Sequence, residues 1–406
     1  MHEQEKSDSA VVAVKSANKA ERSVAEWMEP RAGTKGNAGH ESLLRTQCRD
    51  QVGTGLDRIR QAVKRDKASP LTALLHHINP VSLSEAFYAI KHNAAAGVDG
   101  VTWQDYEHDL AAKLADLTDR IHRGAYHPLP SRRGYIPKAD GGRRPLAITA
   151  LEDKIVQRAV QTVLNVIYEE DFLGFSYGFR PGRNAHNALD ALVVGIGRKK
   201  VNWILDADIR SFFDTVSQEW LMQFVGHRIA DKRVLRLLQK WLKAGVLEDG
   251  LVSVSDKGTG QGSVISPLLA NIYLHYVFDL WAEQWRKREA KGDMIIVRYA
   301  DDFVVGFEHE AEARRFLEAM HSRLAEFFLF LLPFFSLLFF FFPFSPSPPP
   351  FLLLFFPSSF LFLSFSFFFS LSSPSPFLFF LHSLLSLFPF YFHPLFLSFS
   401  PLPPPP

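Results

Sequence analysis

The chain has 406 residues, and its 45 Lys and Arg nearly balance its 43 Asp and Glu, leaving a formal net charge of +2. That balance excludes a globally basic or acidic protein, so any affinity for nucleic acid has to come from local patches. A single cysteine, Cys48, excludes an intramolecular disulfide framework and a cysteine-rich zinc site, and points to a reducing cytosol.

Residues 1–70 open with "MHEQEKSDSAVVAVKSANKAERS", which has no apolar signal-peptide core. The stretch carries few periodic apolar positions and reads as a flexible or partly helical extension. "AAAGVDGVTW" (94–103) sets two glycines around Asp99, a tight-turn signal. "RRGYIPKADGGRRPLAI" (132–148) alternates basic residues with strand-like pieces around Asp140-Gly141, a hairpin signal. A helix follows. Thr149 and Glu152 have capping-box spacing, and Val156, Val160, Val163, Leu164 and Ile167 recur at helical intervals. "NWILDADIRSFFDTV" (202–216) starts as a strand and ends as a strand-to-helix turn. "KGTGQGS" (257–263) is a glycine-rich loop, and Pro267 suits the start of the next helix. Leu269, Ile272, Tyr273, Tyr276, Val277, Leu280 and Trp281 make one apolar stripe. "MIIVRYADDFVVGF" (294–307) is apolar run, turn, apolar run: a β-hairpin. Strands on hairpins mixed with helices favour an α+β fold over a doubly wound parallel sheet.

From Phe327 to Pro406 there is no Asp, Glu, Lys or Arg, only Phe, Leu, Pro and Ser apart from His382, Tyr391 and His393. Codons for those four residues can all carry pyrimidines in their first two positions. The tail therefore reads as an aberrant, low-complexity translation of a pyrimidine-rich tract. A membrane span is the poorer reading, because a spanning helix needs about 20 consecutive apolar residues and proline or serine interrupts every run.

The chemistry centres on the last hairpin. Asp301 and Asp302 repel each other, and each is costly to desolvate. Asp208 ends a separate strand, so pairing of the two strands would bring three carboxylates together. Such a trio calls for cations, and hard, oxygen-seeking Mg²⁺ suits carboxylates plus phosphate oxygens. Two such ions about 4 Å apart can activate a 3′-hydroxyl and stabilise a departing pyrophosphate. Lys138 and Arg144 flank the Asp140-Gly141 turn, so a hairpin would carry both on one mobile flap, where they can grip phosphate oxygens. The basic residues of 132–144 can also serve as a solvated loop against an RNA backbone. Gly258, Gly260 and Gly262 allow close backbone approach to a base or sugar, and Gln261 adds an amide. A plain helix-entry loop has the same composition.

Six segments carry a resemblance: "AAGVDGVT" (95–102), "YIPKADGGRRPLAITALEDKIVQ" (135–157), "FSYGFRPGRNAHNAL" (175–189), "DADIRSFFDTV" (206–216), "GTGQGSVISPLLANIYL" (258–274) and "YADD" (299–302). In this order they resemble the motifs of a reverse transcriptase, specifically a bacterial group II intron reverse transcriptase/maturase, over about residues 75–326. Gly260 stands where the family usually has proline. The resemblance implies a right-hand polymerase: a polar extension (1–70), fingers (71–200) and a palm with an antiparallel sheet (201–326). The thumb is missing, because the tail (327–406) replaces the family's continuation from Phe328 onward. It implies Asp208, Asp301 and Asp302 as catalytic ligands of two Mg²⁺ ions. Lys138, Arg144, Phe212, Gln261 and Gly262 would contact the nucleotide, with Phe212 either an aromatic gate against the 2′-hydroxyl or a core aromatic. Arg180 would hold the template strand or form a structural salt bridge. The implied activity is an RNA-directed DNA polymerase that uses dNTPs and a DNA primer to copy group II intron RNA for retrohoming. It would work in the bacterial cytoplasm without a membrane, and its full-length parent would assist splicing. The rivals are a retron or CRISPR-associated reverse transcriptase, a splicing cofactor without polymerisation, and an inactive fragment.

Overall fold

Alternation of side chains along three strands decides where the acidic residues can go. The computed structural model describes residues 53, 55–67, 69–137 and 141–331. The expectations for most of the N-terminal extension, for Lys138 and for the tail beyond Leu331 lie outside those residues. α1 (55–65), α2 (Pro80–Tyr88), α3 (Trp103–Glu107) and α4 (Leu110–His122) precede the hairpin of β1 (Ser131–Pro137) and β2 (Arg143–Ile148). α5 (Leu151–Tyr168) and α6 (Ala185–Arg198) lead to β3 (Trp203–Asp208). After α7 (Phe212–Thr215), α8 (Gln218–Arg228) and α9 (Lys232–Leu242) come two short strands, β4 (Val246–Glu248) and β5 (Leu251–Ser253). α10 (Ser266–Leu274) passes through a π-helical turn (His275–Asp279) into α11 (Leu280–Arg288). The hairpin of β6 (Met294–Tyr299) and β7 (Asp302–Phe307) and then α12 (Glu310–Glu326) follow.

The strands form two sheets, ordered β3-β7-β6 and β2-β1-β4-β5. The first is wholly antiparallel. The second contains one parallel pair, β1 with β4, and two strands that the sequence reading did not foresee. In the first sheet Leu205, Ala207, Phe303, Val305 and Phe307 join the main core. Ile295 and Val297 join a smaller core on the other face, under Ala188, Ala191 and Leu192 of α6. Because successive side chains alternate, Asp206 and Asp208 share the face opposite Leu205 and Ala207.

The expected elements are present where they were read. Val156, Val160, Val163, Leu164 and Ile167 are all buried on α5. The capping box is not. Ala150 is the N-cap of α5 without a side-chain bond, and Thr149 Oγ1 is buried without a hydrogen-bond partner. Glu152 instead accepts from Arg120 and Tyr106, which ties α5 to α4 and α3. The apolar stripe after Pro267 is broken by the π turn, which leaves Leu280 exposed. The helical part of the N-terminal extension is not free: Ile59 and Val63 on α1 are buried in the main core. Among the described residues no helix is long and apolar enough to cross a membrane.

Candidate active site

β3 and β7 pair in a register that sets Asp208 directly opposite Asp302, and Asp206 opposite Val304. Directly opposed residues of an antiparallel pair share a face with Cβ atoms roughly 5 Å apart. Asp301 is the second residue of the two-residue turn Ala300–Asp301 that closes β6 onto β7. Ala300 takes a positive φ of 58°, a conformation that costs a residue with a Cβ and needs support from its surroundings.

The electrostatics record the crowding. Burial, then Asp301, pushes the Asp208 carboxyl up to about 6. Burial, then Asp208, Asp301 and Asp206, pushes Asp302 up to about 7. Burial also raises Asp301, opposed by its own backbone N–H and by Arg144 and Arg298. Repulsion of this kind is what a cation relieves. Among the described residues no three His, Cys, Asp or Glu are gathered closely enough to form a ready-made metal cage. The donor set still fits a hard cation, since all three groups are carboxylates sharing one partly buried edge. Asp206, a fourth carboxylate on that face, was missed by the sequence reading. Its signal was there in "DAD", where i and i+2 of a strand share a face.

Around these carboxylates the expected nucleotide contacts divide. Arg144 is exposed on β2, opposite Ile136 of β1, and acts on Asp301, so the flap reaches the acidic edge. The glycine-rich loop is fastened between the flap and α7. Ala147 N–H donates to Gln261 O at 2.6 Å, and Thr259 N–H donates to Phe213 O at 2.8 Å. Gly262 has φ +108° with Ala147 O 3.0 Å from where a Cβ would sit, so a side chain there is excluded. Gln157 on α5 accepts from Ser263 Oγ and Val264 N–H, fixing the loop's exit into α10.

Two of the named side chains are buried. Phe212 is only 2% exposed and packs on Tyr273 in the main core, so its ring is a core aromatic. The partly exposed aromatic is its neighbour Phe213, edge-on to Phe179 beside the glycine-rich loop. Adjacent helical residues point about 100° apart, and in a Phe-Phe pair only packing tells which ring turns inward. Arg180 is also buried. Its guanidinium pairs with Glu169 at 2.9 Å and donates to the Leu173 and Ser176 carbonyls. Of its two readings, this geometry fits the structural salt bridge.

The profile of a family described as "Reverse transcriptase (RNA-dependent DNA polymerase)" matches residues 136–333. The matched span contains the acidic edge, β2 of the flap and the glycine-rich loop. The chain carries a reverse transcriptase domain over residues 136–333. Protein YkfC of Escherichia coli (strain K12) is 40% identical to it, over 54% of this chain and 66% of that protein. The group II intron-encoded protein LtrA of Lactococcus lactis subsp. cremoris is 33% identical, over 54% of this chain and 37% of its own length. A 91 kDa protein in the cob intron of Schizosaccharomyces pombe is 34% identical, over 54% and 28%. The chain therefore spans less than two thirds of the length of these curated relatives.

The reverse transcriptase match overlaps the first residues of the expected tail. It runs to residue 333, beyond the expected break at Phe328. Phe327 and Leu329 are buried in the main core, and Tyr273 Oη donates to Phe327 O at 3.1 Å. Arg210 N–H donates to Phe330 O at 2.9 Å, and Leu331 bridges Ile209, the residue after Asp208. Phe330 and Leu331 thus run alongside Arg210 and Ile209, just past the end of β3. Within 327–331, Phe327 and Leu329 turn into the core, while Phe328 and Phe330 are exposed.

Proposed function

We propose that this reverse transcriptase domain is an RNA-directed DNA polymerase of a group II intron, which extends a DNA primer along intron RNA with dNTPs. The observation that carries the reading is the register of β3 and β7, with Asp208 opposite Asp302 and Asp301 in the adjoining turn. Residues 71–200, with the β1–β2 flap, serve as fingers. Residues 201–326, with the β3-β7-β6 sheet, serve as palm. The intron assignment is supported by the likeness to LtrA, a group II intron-encoded protein. The cellular setting proposed is the cytoplasm of a bacterium. Splicing assistance is proposed for a longer parent protein.

Asp208, Asp301 and Asp302 would hold two Mg²⁺ ions. When bound, these would activate the primer 3′-hydroxyl and offset charge on the departing pyrophosphate. The chain's own part is positional. Rigid strands hold the carboxylates at fixed separation, and burial strengthens every charge they face. Arg144, on the flap, draws the triphosphate toward that edge, and Lys138 would add a second cation. Gln261 and Gly262 line the nucleotide side, where the missing Cβ leaves backbone surface for the sugar. Phe213, rather than the buried Phe212, would stand against a 2′-hydroxyl.

Primer extension on poly(rA) with an oligo(dT) primer tests the reading on the full chain. Wild type should incorporate dTTP only with a divalent ion, and Asp301→Asn or Asp302→Asn should reduce incorporation by at least a thousandfold. Full activity in both variants would overturn it.

A further inference from the structure

Arg298 is 0% exposed, three residues before Asp301 and one strand position from the turn. A guanidinium has five N–H donors. Here all five are used: Nε and Nη2 donate to the two oxygens of Asp279 at 2.6 Å each, and Nη2 donates to Ser176 Oγ at 2.7 Å. Nη1 donates to Asn271 Oδ1 at 3.0 Å and to the Ala300 carbonyl at 2.8 Å. Asp279 is also 0% exposed. A buried ion pair is weak evidence for stability, since apolar residues of similar volume often do as well, so its presence asks for another reason.

The partners supply the reason, because they converge on one small target. Ala300 is the residue held at positive φ between Tyr299 and Asp301. Asn271, having accepted from Arg298, donates its Nδ2 to the Gly178 carbonyl at 2.7 Å. Gly178 lies so close to the same turn that a Cβ there would sit 2.2 Å from Ala300 N. Ser176 brings the strand-like stretch before Gly178 alongside Arg298, whose own N–H donates to Phe175 O. The π turn places Asp279 to take part. Eight residues of straight α-helix would rotate it about 80° away from Asn271, and one extra residue in the turn brings it back to the same face.

We propose that the Arg298–Asp279–Asn271 cluster, with Gly178 behind it, consists of positioning residues that hold the Ala300–Asp301 turn in its high-energy conformation and so set Asp301 for cation binding. Arg298 and Asn271 touch no reacting atom; they act through the Ala300 carbonyl and the Gly178 backbone. The inference rests on the polymerase reading for its consequence in catalysis, but its direct effect is on cation affinity.

The test uses the full chain and Mn²⁺ as probe, with free Mn²⁺ counted by electron paramagnetic resonance, beside dTTP incorporation on poly(rA)·oligo(dT). Arg298→Lys keeps a charge for Asp279 but loses the planar fork that also reaches Ala300. Asn271→Ala keeps the ion pair and cuts the link to Gly178, so it decides the matter if Arg298→Lys does not fold. Both folded variants are expected to bind Mn²⁺ about tenfold more weakly and to lose about a hundredfold in kcat, with KM for dTTP within about twofold of wild type. A merely structural cluster would lower the melting temperature and leave Mn²⁺ affinity and kcat of the folded fraction unchanged, and that result overturns the proposal. If wild type binds Mn²⁺ through Asp301 yet makes no DNA, the polymerase reading fails while the shift in Mn²⁺ affinity still judges the cluster. A wild type that binds no Mn²⁺ through Asp301 overturns both.

Discussion

The two sheets of this domain are built from opposite materials. In β6 and β7 most residues are buried, and helices cover the sheet on both faces. In β1, β2 and β5 most are open to solvent; Leu251 on β5 is 77% exposed. The buried sheet carries the carboxylates and the exposed one carries Arg143 and Arg144. A group that must hold its position to fractions of an ångström belongs on close-packed strands, where neighbours leave no room to relax. A group that must meet and release a substrate belongs on a flap with little packing to lose.

Each difference can be broken by a chosen substitution. The largest effect is expected at the buried edge. Asp302→Asn should abolish incorporation and yet raise the melting temperature of the metal-free protein by a few degrees near pH 8, because it removes a charge that burial and its neighbours disfavour. The sign follows from linkage. Asp208 and Asp302 are raised to about 6 and 7 in the folded state, so the folded protein binds more protons than the unfolded one between about pH 4 and 7. Their contribution to stability is present at low pH and is lost as pH rises through those values. A melting series of the metal-free protein should show that slope, and Asp302→Asn should flatten it. An unchanged slope would mean that the carboxylates are not crowded in solution.

Next comes the Phe-Phe pair, which straddles the boundary between core and pocket. Phe212→Ala should cost about 3–5 kcal/mol in chemical denaturation, the usual penalty for emptying a core aromatic site. Phe213→Val should cost far less and should raise incorporation of ribonucleotides relative to dNTPs by at least tenfold. Exchange of the two phenotypes would restore Phe212 as the gate. On the flap, Arg144→Ala should raise KM for dTTP by about ten- to a hundredfold and leave the melting temperature within a degree, since the side chain is exposed. The smallest effect is expected at the β4–β5 turn. Gly250, with φ +80° and open space where a Cβ would sit, should tolerate Ala at a cost of about 1–2 kcal/mol from left-handed backbone strain. Gly178→Ala, against the Ala300 backbone, should be far worse.

Much of the site was legible in the linear chain because its parts are local. The turn at "YADD", the glycines of "GTGQG" and the paired basic residues around "ADGG" each need a particular conformation over a few residues, and turn chemistry announces it. The alternation in "ILDADI" already separated acids from apolar neighbours. What stayed hidden needed distant partners. The Thr149 cap was displaced because Glu152 was drawn to Arg120 and Tyr106. Arg180 read equally as a template contact or a salt bridge, and its partner Glu169 comes beside it only in the folded chain.

By itself the sequence determined that Asp208, Asp301 and Asp302 lie at strand ends beside a basic hairpin and a glycine-rich loop, because period-2 patterning and turn residues are properties of short segments. Only the tertiary structure decided that Asp208 faces Asp302, that Phe212 turns inward and Phe213 outward, and that Arg298, an unremarked cation in a strand, carries the turn. Register, the choice between adjacent aromatic rings and the filling of five donors all depend on which surfaces meet. Packing across the whole core decides that, and no local pattern encodes it.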